Sequence, residues 1–171
     1  MITSGKSIMD QHRERTETRA FLRHSLATLS YRAGKAIRSA PADFSAVRAG
    51  PDSRSAGELL AHMCDLLDWA LTQAQGRQRW ADTPVQSWDA DCTRFFAALH
   101  DFDSHLAGDA PLGMPAEVLF QGAVADALTH TGQIGMLRRL AGSPIKGENY
   151  AKADIVAGRV GPEQAAPNWE F

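Results

Sequence analysis

The sequence has no excess of one charge sign, no long uncharged apolar run and little cysteine, and each absence excludes a class of protein. Its 18 lysine and arginine residues face 20 aspartate and glutamate residues, which gives a net charge of −2. Nucleic-acid binding usually requires a one-sided basic surface, so we expect no nucleic-acid partner. No apolar run approaches the roughly 20 residues that cross a bilayer, and residues 1–10 lack the apolar core of a secretion signal. We therefore expect a soluble, cytoplasmic protein without a membrane partner.

The two cysteines, Cys64 and Cys92, do not form a disulfide framework. They lie on separate predicted helices without C-x-x-C spacing, and two cysteines in a chain of this length are too few for such a framework. We expect both to be reduced core residues. Either would be a candidate nucleophile only if a base lay beside it.

Four segments of the chain show apolar residues in steps of three and four, which predicts an all-α protein. The 171 residues suit one domain, a four-helix bundle. Residues 1–10 show no period and are expected to be loose. The tail, residues 143–171, also lacks a period but carries several apolar side chains, so we expect it to be irregular and docked on the bundle. The predicted helices span residues 10–38, 55–75, 87–107 and 116–141.

Local signals support the boundaries of these helices. Ser55-Ala-Gly-Glu58 has the form of a capping box, and Ser87 is a suitable N-cap for the third helix. Gly142 follows the last helix as a left-handed cap. The periodicity also divides the second helix into an inward face (Leu59, His62, Met63, Leu66, Ala70) and a solvent face (Ala61, Asp65, Asp68, Thr72, Gln75).

The fourth predicted helix is apolar on two nearly opposite sides. One stripe runs through Leu119 to Leu137 and includes Asp126 and His130, and a second runs from Phe120 to Gly135. A helix that is apolar on two sides is either central or covered by something outside the bundle. We interpret the second stripe as the interface of a homodimer.

Three residues on the inward stripes predict a metal site. Asp126 and His130 are four residues apart, so they share one helix face, and His62 lies on the inward face of the second helix. A single buried histidine is usually just a hydrogen-bonded core residue. Three buried polar groups without partners, however, would each cost about 1 to 3 kcal/mol. A divalent ion bound by two imidazoles and a carboxylate would remove that cost and leave coordination positions open. His100 and His105 fall off the apolar seam, and we expect no site role for them.

His62, together with Asp126-x-x-x-His130-Thr-Gly-Gln133, resembles the DinB/YfiT-like superfamily of metal-binding four-helix proteins. The resemblance covers about residues 18–142 in helix order, loop lengths and motif placement. In that family one histidine of the second helix and an H-x-x-x-H pair followed by x-G-Q hold a divalent metal. His62 and His130 match two of those ligands, whereas Asp126 replaces the usual middle histidine. Asp126 is shorter than histidine, so it would bind the ion either directly, with a small helix shift, or through a water molecule. Two histidines and one carboxylate suit zinc, nickel, iron or manganese, and Gln133, three residues beyond His130, is placed to orient a ligand or substrate.

Two functions remain open at this point. The resemblance implies a metal-dependent enzyme acting on a small-molecule substrate, either a transferase that uses a low-molecular-weight thiol or a hydrolase. The alternative is a non-catalytic dimeric bundle that binds a small ligand or keeps a degenerate metal site, and Asp126 in place of histidine favours it. Tyr31, Met63, Trp69 and Arg138 either face the cleft or pack in the core; the sequence does not decide between these positions.

Overall fold

Helices form the whole framework of the chain, as the computed structural model, which describes residues 7–171, shows. The predicted all-α bundle is confirmed. The fourth rod of the bundle, residues 116–140, is one continuous helical stretch with a π-helical segment inside it. In the described range no strand occurs, and one isolated bridge pairs Glu148 with Glu170. The helical elements are α1 (Ile8–Ile37), α2 (Ala56–Ala74), α3 (Trp88–Ala107), α4 (Ala116–Leu119), the π segment (Phe120–Val124), α5 (Ala125–Leu140) and two short 3-10 helices, Phe44–Ala46 and Tyr150–Lys152.

The four rods pack in the cyclic order α1, α3, α2, α5. Helices α1 and α2 are consecutive in the chain but lie diagonally in the bundle, and the connection through residues 38–55 joins them across it. Helices α2 and α5 are neighbours. Side chains on their facing stripes therefore meet, although residues 75–124 lie between the two helices in the sequence. Across residues 7–171 no helix is long and apolar enough to cross a bilayer; the cytoplasmic location stays a prediction.

Side-chain caps fix the helix boundaries. Ser55 and Glu58 form the predicted capping box at the start of α2. The Ser87 hydroxyl, predicted to cap α3, accepts a hydrogen bond from the Ala90 amide in the first turn of that helix. Gly142 has a φ of 69° and ends α5 as predicted. A capping box that the sequence analysis missed, Ser7 with Asp10, starts α1 two residues earlier than predicted. Residues 1–6, expected to be loose, lie outside the described range.

The predicted solvent face of α2 is wrong at two positions. Ala61 and Asp65 are buried, with 3% and 5% of their surface exposed. Asp65 is buried because its carboxylate is fully engaged: it pairs with Arg94 of α3 and accepts a hydrogen bond from the Thr83 amide at 3.0 Å. An ion pair across two helices thus makes a polar position part of the α2–α3 contact, which one-helix periodicity cannot show.

The second apolar stripe of the fourth rod is largely covered by the chain itself. Val124 and Thr131 are buried, and the tail residue Ile145 lies against Gly135, within 3.7 Å of where a Cβ there would stand. Phe120 contacts Phe21 of α1, with ring centroids 6.0 Å apart. The stripe therefore needs no second copy of the chain to bury it. The homodimer stays a prediction, and the second apolar stripe no longer supports it.

The tail is irregular and docked on the bundle, as predicted. Val160 is buried, and Ile145 and Ile155 pack against the core. Glu148 anchors the tail to α1: its carboxylate accepts a hydrogen bond from the Tyr31 hydroxyl at 2.7 Å and pairs with Lys35 at 2.7 Å. Three apolar residues of the tail remain exposed, as a prediction that much but not all of the tail docks allows; they are Val156, Trp169 and Phe171.

Candidate metal centre

His62, Asp126 and His130 meet where α2 packs against α5. His62 lies near the middle of α2, and Asp126 and His130 lie one turn apart at the start of α5. The π segment ends two residues before Asp126. Such wide turns occur often at functional sites, and this one precedes the turn that presents the carboxylate. The predicted convergence of the three residues is what the structure shows.

The distances between the three side chains suit a metal ion. His62 Nε2 lies 3.7 Å from Asp126 Oδ2, and His130 Nε2 lies 3.4 Å from Asp126 Oδ1. One ligand atom from each residue lies within 4.8 Å of the others. In a tetrahedral zinc site with bonds near 2.1 Å, ligand atoms stand about 3.4 Å apart. Small side-chain rotations would therefore bring the three residues to bonding distance of one ion.

His130 presents a buried lone pair to this point. Its Nδ1 donates a hydrogen bond to Gln133 Oε1 at 2.7 Å, and because a carbonyl oxygen only accepts, the ring proton lies on Nδ1. Nε2 then carries the lone pair, and it is buried without a hydrogen-bond partner among residues 7–171. It faces a carboxylate oxygen, which is also an acceptor. Two acceptors in such proximity repel unless a proton or a metal cation lies between them, so the arrangement fits either a protonated His130 ring or a bound metal ion.

His62 is held in the form that binds metals. Burial lowers the pKa of its imidazole, and the positive charge of Arg54 lowers that pKa further, while Asp126 opposes both. A lowered pKa favours the neutral ring at neutral pH, and metal coordination requires a neutral imidazole. Asp126 supplies the negative charge of the site; its side chain is 45% exposed, against 19% for His62 and 11% for His130.

A tryptophan that the sequence analysis missed shields one side of the site. The Trp80 ring lies 5.8 Å from the His62 ring and 5.9 Å from the Trp69 ring, both in edge-on contacts. Trp80 belongs to the loop between α2 and α3, which Asp65 holds through the Thr83 amide. No local pattern marks this residue, because the loop has no periodicity.

A pocket of about 410 Å³ opens on another side of the site. Its polar lining residues are His130, Gln133, Arg54 and Ser53, and apolar side chains form the rest of its wall. Its volume suits a small molecule. Gln133 therefore contacts both the metal-ligating ring and the space beside it; its contact with a substrate stays a prediction. The apolar wall consists of Ala49, Leu59, Met136 and Leu137.

The other candidate residues have structural roles. Met63 is in the core, Tyr31 binds Glu148 of the tail, and Arg138 hydrogen-bonds the end of α1. Trp69 contacts Trp80 and so belongs to the shield beside His62. None of the first three reaches the pocket lining.

The remaining histidines and the cysteines also lie outside the site. His100 is exposed, and His105 contacts the Ala74 carbonyl at 3.3 Å. Both cysteines are free. Burial raises the pKa of Cys64, and burial with nearby aspartates raises that of Cys92 to about 12. Neither thiol is therefore a reactive thiolate at neutral pH.

Replacement of Gln133 by leucine is expected to weaken zinc binding by about 10- to 100-fold, the usual effect of removing a group that orients a ligating histidine. The leucine keeps the bulk of the side chain but frees the His130 ring to rotate and change tautomer. Competition with a chromophoric chelator measures the affinity. Gln121→Leu, at an exposed position of the same rod, is the matched control. Equal affinities for the two variants would show that Gln133 does not orient the ring.

Comparisons with protein-family models, with curated proteins and with solved structures find no match for this chain. The resemblance to the DinB/YfiT-like superfamily thus stays a prediction that rests on the spacing of His62, Asp126, His130 and Gln133. The convergence of those side chains is independent of it, because it is seen in the coordinates.

Proposed function

We propose that this protein is a divalent-metal-dependent enzyme that acts on a small molecule, with His62, Asp126 and His130 as the metal ligands. One observation carries the proposal: the buried, unpaired Nε2 of His130 faces the Asp126 carboxylate at 3.4 Å, with His62 on its other side. A core histidine kept for packing would have a hydrogen-bond partner at that atom.

The ligand set defines the chemistry of the site. When bound, a divalent ion with three protein ligands keeps open coordination positions. It lowers the pKa of a small thiol or a water molecule bound there toward neutral pH. Two imidazoles and one carboxylate are suitable ligands for zinc, iron, nickel or manganese. The proposed reaction is therefore a transfer to a low-molecular-weight thiol, or a hydrolysis.

The residues of the chain prepare the site for that reaction. Gln133 fixes the tautomer of His130, and the buried surroundings of His62 favour its neutral ring. Trp80 restricts water on one side of His62, while the pocket on the side of His130 admits a small molecule. The protein's contribution is orientation and a partly dry environment beside the reacting group.

Metal content and its effect on stability test the proposal. We expect about one equivalent of a transition metal per chain after loading and dialysis. A metal that binds only the native state stabilises that state by about 2.7 kcal/mol when the free metal concentration is 100 times the Kd. For a chain of this size the melting temperature should then rise by roughly 5 to 10 °C over the chelated protein. Scanning calorimetry with and without chelator measures the shift.

A non-catalytic bundle that binds a small ligand or keeps a degenerate metal site is the second candidate. The exposure of Asp126, 45% of its side chain, favours it, since a hydrated carboxylate needs no ion to neutralise it. This candidate predicts no stoichiometric metal after loading and the same melting temperature with and without chelator. Those two results together would contradict the enzyme proposal.

A further inference from the structure

The pocket beside the metal centre has one cationic side chain, Arg54. It lines the same space as His130 and Gln133 and lies just before α2, outside the core stripes. The remaining wall is mostly apolar. A molecule bound in the pocket with its reacting end at the metal centre would therefore lie near Arg54.

Within residues 7–171 Arg54 forms no ion pair, and its charge acts on the Glu58 carboxylate only from a distance. It makes no hydrogen bond in that range either, unlike the neighbouring Arg48, which pairs with Glu58 at 3.4 Å. Glu58 also accepts a hydrogen bond from the Ser55 amide, so its carboxylate is engaged in the cap of α2. A guanidinium has five donors in a fixed fork that matches a carboxylate or a phosphate, and that of Arg54 is free to bind one.

The charge of Arg54 opposes metal binding unless an anion joins the site. Arg54 lines the same pocket as His130, so its positive charge lies near the metal ligands. A divalent ion at the three ligands would be repelled by that charge. Asp126 supplies only one negative charge among the three ligands. An anionic molecule between the ion and the guanidinium would turn this repulsion into two attractions.

We propose that the substrate of this centre is a small anionic molecule whose acidic group pairs with Arg54 while its reacting end lies at the three metal ligands. This inference rests on the proposed function, and it names the class of molecule that the pocket selects. The apolar wall of Leu59 and Met136 suits a short hydrocarbon segment between the two ends.

A pair of nearly isosteric thiols tests the inference in the zinc-loaded protein. 3-Mercaptopropionate carries the acidic group, and 3-mercaptopropionamide replaces it with a neutral amide. Isothermal titration calorimetry is expected to show that the wild type binds the acid roughly tenfold more tightly than the amide. Arg54→Met should remove most of that preference and leave the affinity for the amide unchanged. Arg48→Met, which removes an arginine that already has a partner, should keep the preference.

Zinc affinity without any thiol supplies a readout independent of thiol binding. Because removal of a positive charge relieves repulsion, Arg54→Met should bind zinc roughly threefold more tightly than the wild type. With saturating 3-mercaptopropionate the order should reverse, since metal and anion then stabilise each other through Arg54. A variant that binds zinc more weakly in both conditions would make Arg54 a structural support and overturn the inference.

The outcomes separate this inference from the proposed function. If the wild type loads zinc but binds acid and amide equally, or if the preference survives in Arg54→Met, this inference is wrong and the metal centre stands. If the wild type cannot be loaded with zinc or another divalent transition metal, both proposals are wrong.

Discussion

Replacement of His130 by alanine is expected to abolish metal binding and leave the bundle folded. The substitution removes one of three ligands, so zinc affinity should fall by more than about 100-fold, beyond the effect of losing an outer hydrogen-bond partner. It also removes a buried nitrogen that has no partner in the metal-free chain. The unfolding free energy of the chelated protein should therefore change by no more than about 1 kcal/mol. Calorimetric metal titration and urea unfolding measure the two effects.

His105→Ala is the matched control for this variant. His105 is a half-buried histidine on α3 that contacts a backbone carbonyl, so its loss should leave zinc affinity unchanged. If His130→Ala binds zinc as tightly as the wild type, the metal occupies another place and the proposed ligand set is wrong. A chelated variant that loses several kcal/mol of stability would show instead that His130 is held as a packing residue.

The helix boundaries could be predicted because they depend on neighbouring residues. Ser55 and Glu58 reciprocally cap α2, and Gly142 ends α5 in the left-handed conformation, as their sequence positions indicated. The inward position of His130 also followed from its periodicity. These are interactions over three or four residues, and a sequence pattern contains all of the groups involved.

The rest of the site depends on contacts between distant segments. No periodicity shows that α2 and α5 are neighbours in the bundle, or that Arg94 draws Asp65 into the α2–α3 contact. Trp80 and Arg54 belong to loops, so their positions beside His62 follow from how the loops pack. The π segment is likewise invisible as a pattern, since its residues continue the same apolar stripes.

Arg138→Met is expected to be the most destabilising substitution of a polar residue in this chain. The Arg138 side chain is buried, and its five N–H donors are all used in hydrogen bonds that tie the end of α5 to the end of α1. Methionine fills similar space but leaves buried carbonyls without donors, at about 1 to 3 kcal/mol for each group that water cannot reach. We expect a net loss of about 3 kcal/mol in urea unfolding. The acceptors are the carbonyls of Ala36, Arg38, Ser39 and Ser143 and the Ser143 hydroxyl.

Arg139→Met provides the matched control, because Arg139 is exposed and, in the part of the chain that the structure describes, makes only a 3.4 Å hydrogen bond within its own helix; the substitution should cost less than about 0.5 kcal/mol. Arg138→Lys should rescue little, since an ammonium has three donors and no planar fork. Arg138 lies outside the pocket lining, so Arg138→Met should lower the unfolding free energy by the same amount in the chelated and the metal-loaded protein. Equal effects of Arg138→Met and Arg139→Met would mean that water replaces the guanidinium, and that other contacts hold α5 against α1.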